Sequence, residues 1–151
     1  MMEGERLIAA ESTANLRRGL LEGYILIVTD RRMVGFKSLK SGVLGVYSFA
    51  EGMADGIHGA ERSLREKAMN QASEILSRKD KDFEIAKEEI VHVELSPPGH
   101  VRNGLLRIVP RSGDPIDLGI RVTTAGHPFY RRLVATMQSF APDRLIVHAK
   151  R

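Results

Sequence analysis

The chain of 151 residues contains no cysteine and no tryptophan. The first absence excludes disulfides, thiolate nucleophiles and cysteine-ligated zinc. The second, together with only five phenylalanines and three tyrosines, argues against a nucleic-acid surface built on base stacking. Long apolar runs are also missing: no stretch approaches the roughly 20 uncharged apolar residues that a spanning helix needs. The opening MMEGERLIAAES meets two glutamates before any apolar run. That reads against a secretory signal and toward a cytoplasmic protein, with peripheral membrane contact as the variant.

Motifs that carry chemistry are equally scarce. There is no GxGxxG, no Walker lysine and no GxSxG, so neither a phosphate cradle nor a nucleophile elbow is written into the chain. No two of the histidines (His58, His92, His100, His127 and His148) stand at metal-ligand spacing. Glu88 and Glu89 are neighbours on a predicted strand, so they point to opposite faces and form no working carboxylate pair. The expectation is a protein that is not an enzyme, with no catalytic residue, no metal and no cofactor.

Charge is abundant and unevenly placed. Residues 1–50 carry seven Lys/Arg against five Asp/Glu, residues 51–99 carry seven against eleven, and residues 100–151 carry nine against three. The middle third is therefore acidic (−4) and the last third basic (+6). Such asymmetry can steer an anionic partner, or it can be solvated faces that neutralise each other.

The clearest pattern is GYILIVTDRRMVGFKS, residues 23–38. Tyr24 to Thr29 is a β-branched-rich strand, Asp30-Arg31 a tight turn, and the next run a second strand. On that strand Arg32, Val34 and Phe36 share one face, Met33, Gly35 and Lys37 the other. Glu5 to Glu11 reads as a strand, residues 12–22 are ambiguous between strand and helical turn, and Val43 to Tyr47 offers a further strand. Residues 42–59 then hold five glycines. From Ala60 to Arg78 the period becomes helical, with Ala60, Leu64, Ala68, Ala72, Ile75 and Leu76 on one stripe. Strands return with Phe83 and Ile85, then with Val91, Val93 and Leu95 on one face. SPPGH is a loop. Leu105 to Val109 and Ile116 to Val122 are strands, the latter with Asp117, Gly119 and Arg121 on its wet face. Residues 127–141 read as a helix with Phe129, Leu133, Met137 and Phe140 toward the core. Residues 142–151 are left as a tail. Strands without crossover helices argue for an antiparallel arrangement of the α+β class.

Two stretches carry a family resemblance. GERLIAAESTAN followed by GYILIVTDRRMVGF resembles the opening of GRAM-type domains of the pleckstrin-homology superfold, through Gly4-Glu5, Gly23, Thr29-Asp30, Arg32, Val34 and Phe36. FEIAKEEIVHVEL resembles the strand after that family's variable loop, and LLRIVP with DPIDLGI resembles its last hairpin. The chain departs from the family pattern at Gly35 and in the insert at about residues 42–80. The resemblance implies one domain over residues 1–141, an antiparallel β-barrel of about seven strands plugged by the C-terminal helix. It also implies a binding module.

In such relatives, basic residues near the first strands contact phosphoinositide headgroups or anionic membranes. That places the candidate site at Arg31, Arg32, Lys37 and Lys40, with Arg17 and Arg18 upstream. Guanidinium forks suit phosphate because they bond it bidentately. The same residues could equally solvate a turn. The partners implied are a protein or an anionic lipid surface. Two alternatives stand beside this reading. One is a self-associating protein using the 42–80 insert. The other is a weak nucleic-acid binder using Arg102, Arg107, Arg111, Arg121, Arg131 and Arg132, against which the lack of stacking aromatics argues.

Overall fold

The computed structural model describes residues 3–12, 16–19, 21–22, 24–37, 47–48, 70, 72–122 and 126–149. They form two sheets and two helical segments, an α+β arrangement dominated by strands. The first sheet has the order β6-β1-β4-β5-β7, made of β1 (Leu7–Ser12), β4 (Ile25–Thr29), β5 (Arg32–Phe36), β6 (Tyr47–Ser48) and β7 (Phe83–Ala86). The second has the order β11-β8-β9-β10-β2-β3. Its strands are β2 (Leu16–Arg18), β3 (Leu21–Glu22), β8 (Ile90–Ser96), β9 (Gly104–Pro110), β10 (Ile116–Ile120) and β11 (Leu145–Val147). Every pairing is antiparallel except β11 on β8.

The expected closed barrel of about seven strands is corrected. The sheets, of five and six strands, are not joined into one continuous ladder. The reason lies at Lys87–Glu89, a 3-10 turn that carries the chain from β7, at the edge of the first sheet, into β8 of the second. Both sides of β8 are already taken, by β9 and β11. β7 therefore cannot pair with it to close the ring. Residues 142–149, read from the sequence as part of a tail, include both a 3-10 turn at Pro142–Arg144 and β11 itself.

The main core lies between the sheets. Leu26, Val28, Met33 and Ile85 of the first face Leu16, Val93, Leu95, Leu106, Ile108, Leu118 and Ile120 of the second. Helix α1 (Gly126–Phe140) contributes Phe129, Leu133, Met137 and Phe140, the face its spacing of four, four and three predicts. A second cluster covers the opposite face of the first sheet. Leu7, Ala10, Ile25, Ile27, Val34 and Phe36 meet Ala72, Ile75 and Leu76 of the helical segment at residues 72–76. The first sheet is thus covered on both sides, which is why β4 is buried at every position and runs Ile25, Leu26, Ile27 and Val28 without alternation before Thr29. Residues 60–69 and 71 of the predicted helix, and residues 43–46 of the predicted strand, lie outside the described residues; the helix ends at residue 76, short of the expected Arg78.

Two local departures have clear causes. Val91, expected to face the core, is half exposed. A bulge between Ile90 and His92 gives β8 one extra residue against β9, so Ile90 takes the core position and Val91 turns out. Gly35, which breaks the family pattern, is required by close approach. A Cβ there would stand 2.2 Å from both the Tyr24 hydroxyl and the Phe83 ring. Those two rings lie nearly parallel, 8° apart with centroids 6.4 Å apart, and they pass over the bare backbone.

Candidate functional site

The β4–β5 hairpin positions most of the candidate cations, but it does not gather them. Arg31 and Lys37 sit at opposite ends of β5. Six residues at about 3.3 Å each separate them by roughly 20 Å. They cannot share one headgroup.

At the tip, the turn is organised by Thr29. Its hydroxyl donates to Glu5 (2.6 Å) and accepts the backbone N–H groups of Arg31 and Arg32 (both 3.1 Å). Asp30 caps the backbone N–H of Arg6 at 2.9 Å. Arg32 is turned inward. Its Nε and Nη2 grip the two oxygens of Glu5 at 2.9 and 3.1 Å, and its Nη1 donates to Glu84 at 2.8 Å. The Glu5 side chain is fully buried, and only 15% of the Arg32 side chain is exposed. Burial opposes the Arg32 charge, but the Glu5 hydrogen bond and charge outweigh it and raise the guanidinium above its ordinary pKa. Glu84 is held below the usual carboxylate range, chiefly by the Lys81 hydrogen bond against the opposing effect of burial, and further by Arg32. Arg32 is therefore a cross-strand tie, with its donors spent on carboxylates.

Arg31 is different. It is exposed, and among the described residues its side chain makes no ion pair. Its Nη2 lies over Gly4, 3.1 Å from where a Cβ would be; Gly4 has φ +77, a conformation that favours glycine in any case. Arg6, 81% exposed, stands nearby beside Asp30.

At the other end of the hairpin, Arg18 and Lys37 do come together, on an acid. Arg18 hydrogen-bonds Asp82, the Tyr24 hydroxyl donates to the same carboxylate at 2.6 Å, and Lys37 lies 3.8 Å from it. Burial, reinforced by the Asp82 hydrogen bond, pushes the Tyr24 hydroxyl well above its ordinary pKa. Arg17 lies across Gly119 of β10, its Nε shielded from solvent and without a hydrogen-bond partner among the described residues. Lys40 lies outside the described residues.

The arginines of the nucleic-acid alternative are dispersed. Arg107 forms a two-pronged bond to Asp117 (2.7 and 3.0 Å), Arg111 is bonded to the Glu88 carbonyl, and Arg132 reaches the buried Glu11 at 3.2 Å from α1.

Three features were not singled out from the sequence. A cleft of about 320 Å³ lies between β7 and the β9–β10 turn, with Glu84, Glu89 and Asp114 in its wall. His92 and His148 both point Nε2 at Glu94, at 3.7 and 3.8 Å. Finally, Val91, Ile146 and Val147 leave aliphatic surface open on β8 and β11, 50%, 42% and 48% exposed. The apolar triplet at 145–147 was the signal for the last of these. The Glu5–Arg32 tie also had a signal: Arg32 shares a face with Val34 and Phe36, and a charge on a buried face needs a counter-charge.

Among the described residues, no group of three His, Asp or Glu side chains could hold a metal ion, and no helix is long and apolar enough to cross a membrane. Comparison of the chain with protein families, with characterised proteins and with solved structures finds no match.

Proposed function

We propose that the chain is a non-enzymatic binding module of the pleckstrin-homology or GRAM-like kind, and that its partner is a protein surface more than a membrane. The observation that carries the choice of partner is the internal use of the arginines. Arg32 is bound to Glu5 and Glu84, and Arg18 to Asp82. At the tip Arg31 makes no ion pair among the described residues, while the neighbouring Arg6, 81% exposed, stands 3.9 Å from Asp30. Each exposed cation adds about 1 kcal/mol of attraction to an anionic leaflet, so two supply about 2 kcal/mol. Micromolar membrane binding needs about 8 kcal/mol. A small acidic patch on a protein is the better match to a single guanidinium presented on a rigid turn.

Cosedimentation with vesicles rich in anionic lipid, at low salt, is expected to leave the protein in the supernatant. A poly-glutamate peptide, standing in for an acidic protein surface, is expected to shift the amide resonances of residues 30–32, and Arg31→Glu is expected to abolish the shift. Salt-sensitive pelleting with anionic vesicles that Arg31→Glu removes would instead assign the tip to a membrane surface. An unperturbed tip in both assays would remove Arg31 from the function.

A further inference from the structure

The edge of the second sheet has an outer ladder with no partner among the described residues. β11 pairs in parallel with β8, Leu145 beside Val93, Ile146 beside Glu94 and Val147 beside Leu95. The His148 N–H donates to the Leu95 carbonyl at 2.8 Å. Backbone groups alternate along a strand, so Ile146 and His148 face β8, while the N–H and C=O of Leu145 and Val147 face outward. Edge strands that must stay single are blunted by shortness, lysine, proline or a bulge. β11 is short, at three residues, but it has no lysine, proline or bulge; all three of its residues are aliphatic, and Ile146 and Val147 are about half exposed.

We infer that a second copy of the chain docks on this edge, β11 against β11, antiparallel about a two-fold axis at Ile146. The phase of the strand allows a two-fold on any of its residues, and only the one at Ile146 pairs both outward-facing residues within the strand. With Ile146 on the axis, Leu145 of one copy stands opposite Val147 of the other. These are the residues whose backbone groups point outward, so the two pairs exchange four hydrogen bonds. The two Ile146 side chains meet across the axis on one face. On the other, each Val147 is covered by the partner's Leu145, which already packs on the main core.

The flanks do not oppose the seam. Arg144 would fall opposite His148, but its Nη1 is turned inward onto the carbonyls of Lys87 and Ile90. His148 leans toward Glu94 of its own chain. What favours a copy over an unrelated peptide is the side-chain match, aliphatic against aliphatic at all three positions. A three-residue seam falls in the class of interfaces under about 1,200 Å², which are transient. The dimer is therefore a concentration-dependent equilibrium. It uses a surface other than the 42–80 insert and does not depend on Arg31.

Sedimentation velocity over a concentration series tests it. The wild-type chain is expected to pass from monomer to dimer, and Arg31→Glu to behave the same. Ile146→Asp places like charges face to face across the axis, and Val147→Pro removes an outward N–H without touching the bonds to β8; each is expected to weaken the dimer at least tenfold. Amide exchange gives a reading that needs no variant. Protection of Leu145 and Val147 should rise with concentration, while Ile146 and His148 are protected throughout. A chain that stays monomeric at millimolar concentration overturns the inference. So does a dimer whose formation leaves the Leu145 and Val147 amides unprotected.

Discussion

Replacing Arg32 with methionine tests whether the hairpin tip is a structural tie or a surface cation. The substitution keeps most of the stem and removes a guanidinium that makes three hydrogen bonds to carboxylates, at 2.8, 2.9 and 3.1 Å. It takes the Arg32 guanidinium away from the fully buried Glu5 side chain, which keeps the Thr29 hydroxyl. Breaking a buried pair from one side costs about 3–5 kcal/mol, because the remaining charge is stranded in a poor solvent. Domains of this kind have about 5–15 kcal/mol in total, so the loss is a large fraction of stability. With a urea m-value near 2 kcal/mol/M, the midpoint should fall by about 2 M. Arg31→Met, at the exposed position next door, should change stability by no more than about 0.5 kcal/mol. The double variant Glu5→Gln with Arg32→Met should lose less than the sum of the two single variants, since no bare charge is left. A loss of under about 1 kcal/mol in Arg32→Met would refute the reasoning. It would return Arg32 to the set of cations available for a ligand.

Three further outcomes follow from the same structure. Gly35→Ala puts a methyl 2.2 Å from the Tyr24 hydroxyl and the Phe83 ring, and should cost about 1–3 kcal/mol by thermal melting; an unchanged melting temperature would mean the stacked pair moves freely. Leu76→Ala should cost about 2–5 kcal/mol if the helical segment at 72–76 is part of the core, whereas a change below 1 kcal/mol would make it a loosely attached cover. Stability should fall in acid. Glu84 and Asp117 are held below their ordinary values of 4.5 and 3.8, the first chiefly by the Lys81 hydrogen bond and the second by that of Arg107. The unfolded chain therefore binds protons first, so this contribution is complete above those values and is lost as pH falls through the depressed ones. Urea midpoints between pH 7 and pH 3 should show the decline, and Lys81→Met should flatten part of it.

The parts of the fold that were legible are those where one short period controls burial. Phe129, Leu133, Met137 and Phe140 lie one turn apart on a single helix, and Leu118 and Ile120 alternate on a single strand. Nothing distant can change which way they point. The bulge at Ile90–His92 was not legible, because one extra residue flips the parity of Val91 without any glycine or proline to mark it. The dispersal of the candidate cations was not legible for a similar reason. Arg17, Arg18, Arg31, Arg32, Lys37 and Lys40 are close in sequence, but β5 carries Arg31 and Lys37 apart, and Asp82, 64 positions from Arg18, claims that arginine. Partners of opposite sign are set by topology, which the local pattern does not contain.

The burial of the two sheets also limits where a partner can bind. The first sheet is covered on one face by the second sheet and α1, and on the other by Ala72, Ile75 and Leu76. A partner docking there would have to displace core, at several kcal/mol for each large side chain uncovered. The described end of the insert is therefore spent on its own sheet and is a poor candidate for an interface. Among the described residues the second sheet has one covered face. Its other face is tied by Arg107–Asp117 and carries Glu94 between two histidines, a largely polar surface whose exposed aliphatics, Val91 and Ile146, lie on β8 and β11. What remains is the rim: the β4–β5 tip, where one arginine is presented, and β11, where backbone donors and acceptors stand beside exposed aliphatic side chains. The tip offers charge with little area and the edge offers directed hydrogen bonds with little charge. Since hydrogen-bond direction fixes register and a lone exposed charge does not, the register of self-association should reside in β11, and the encounter rate with an acidic partner in Arg31.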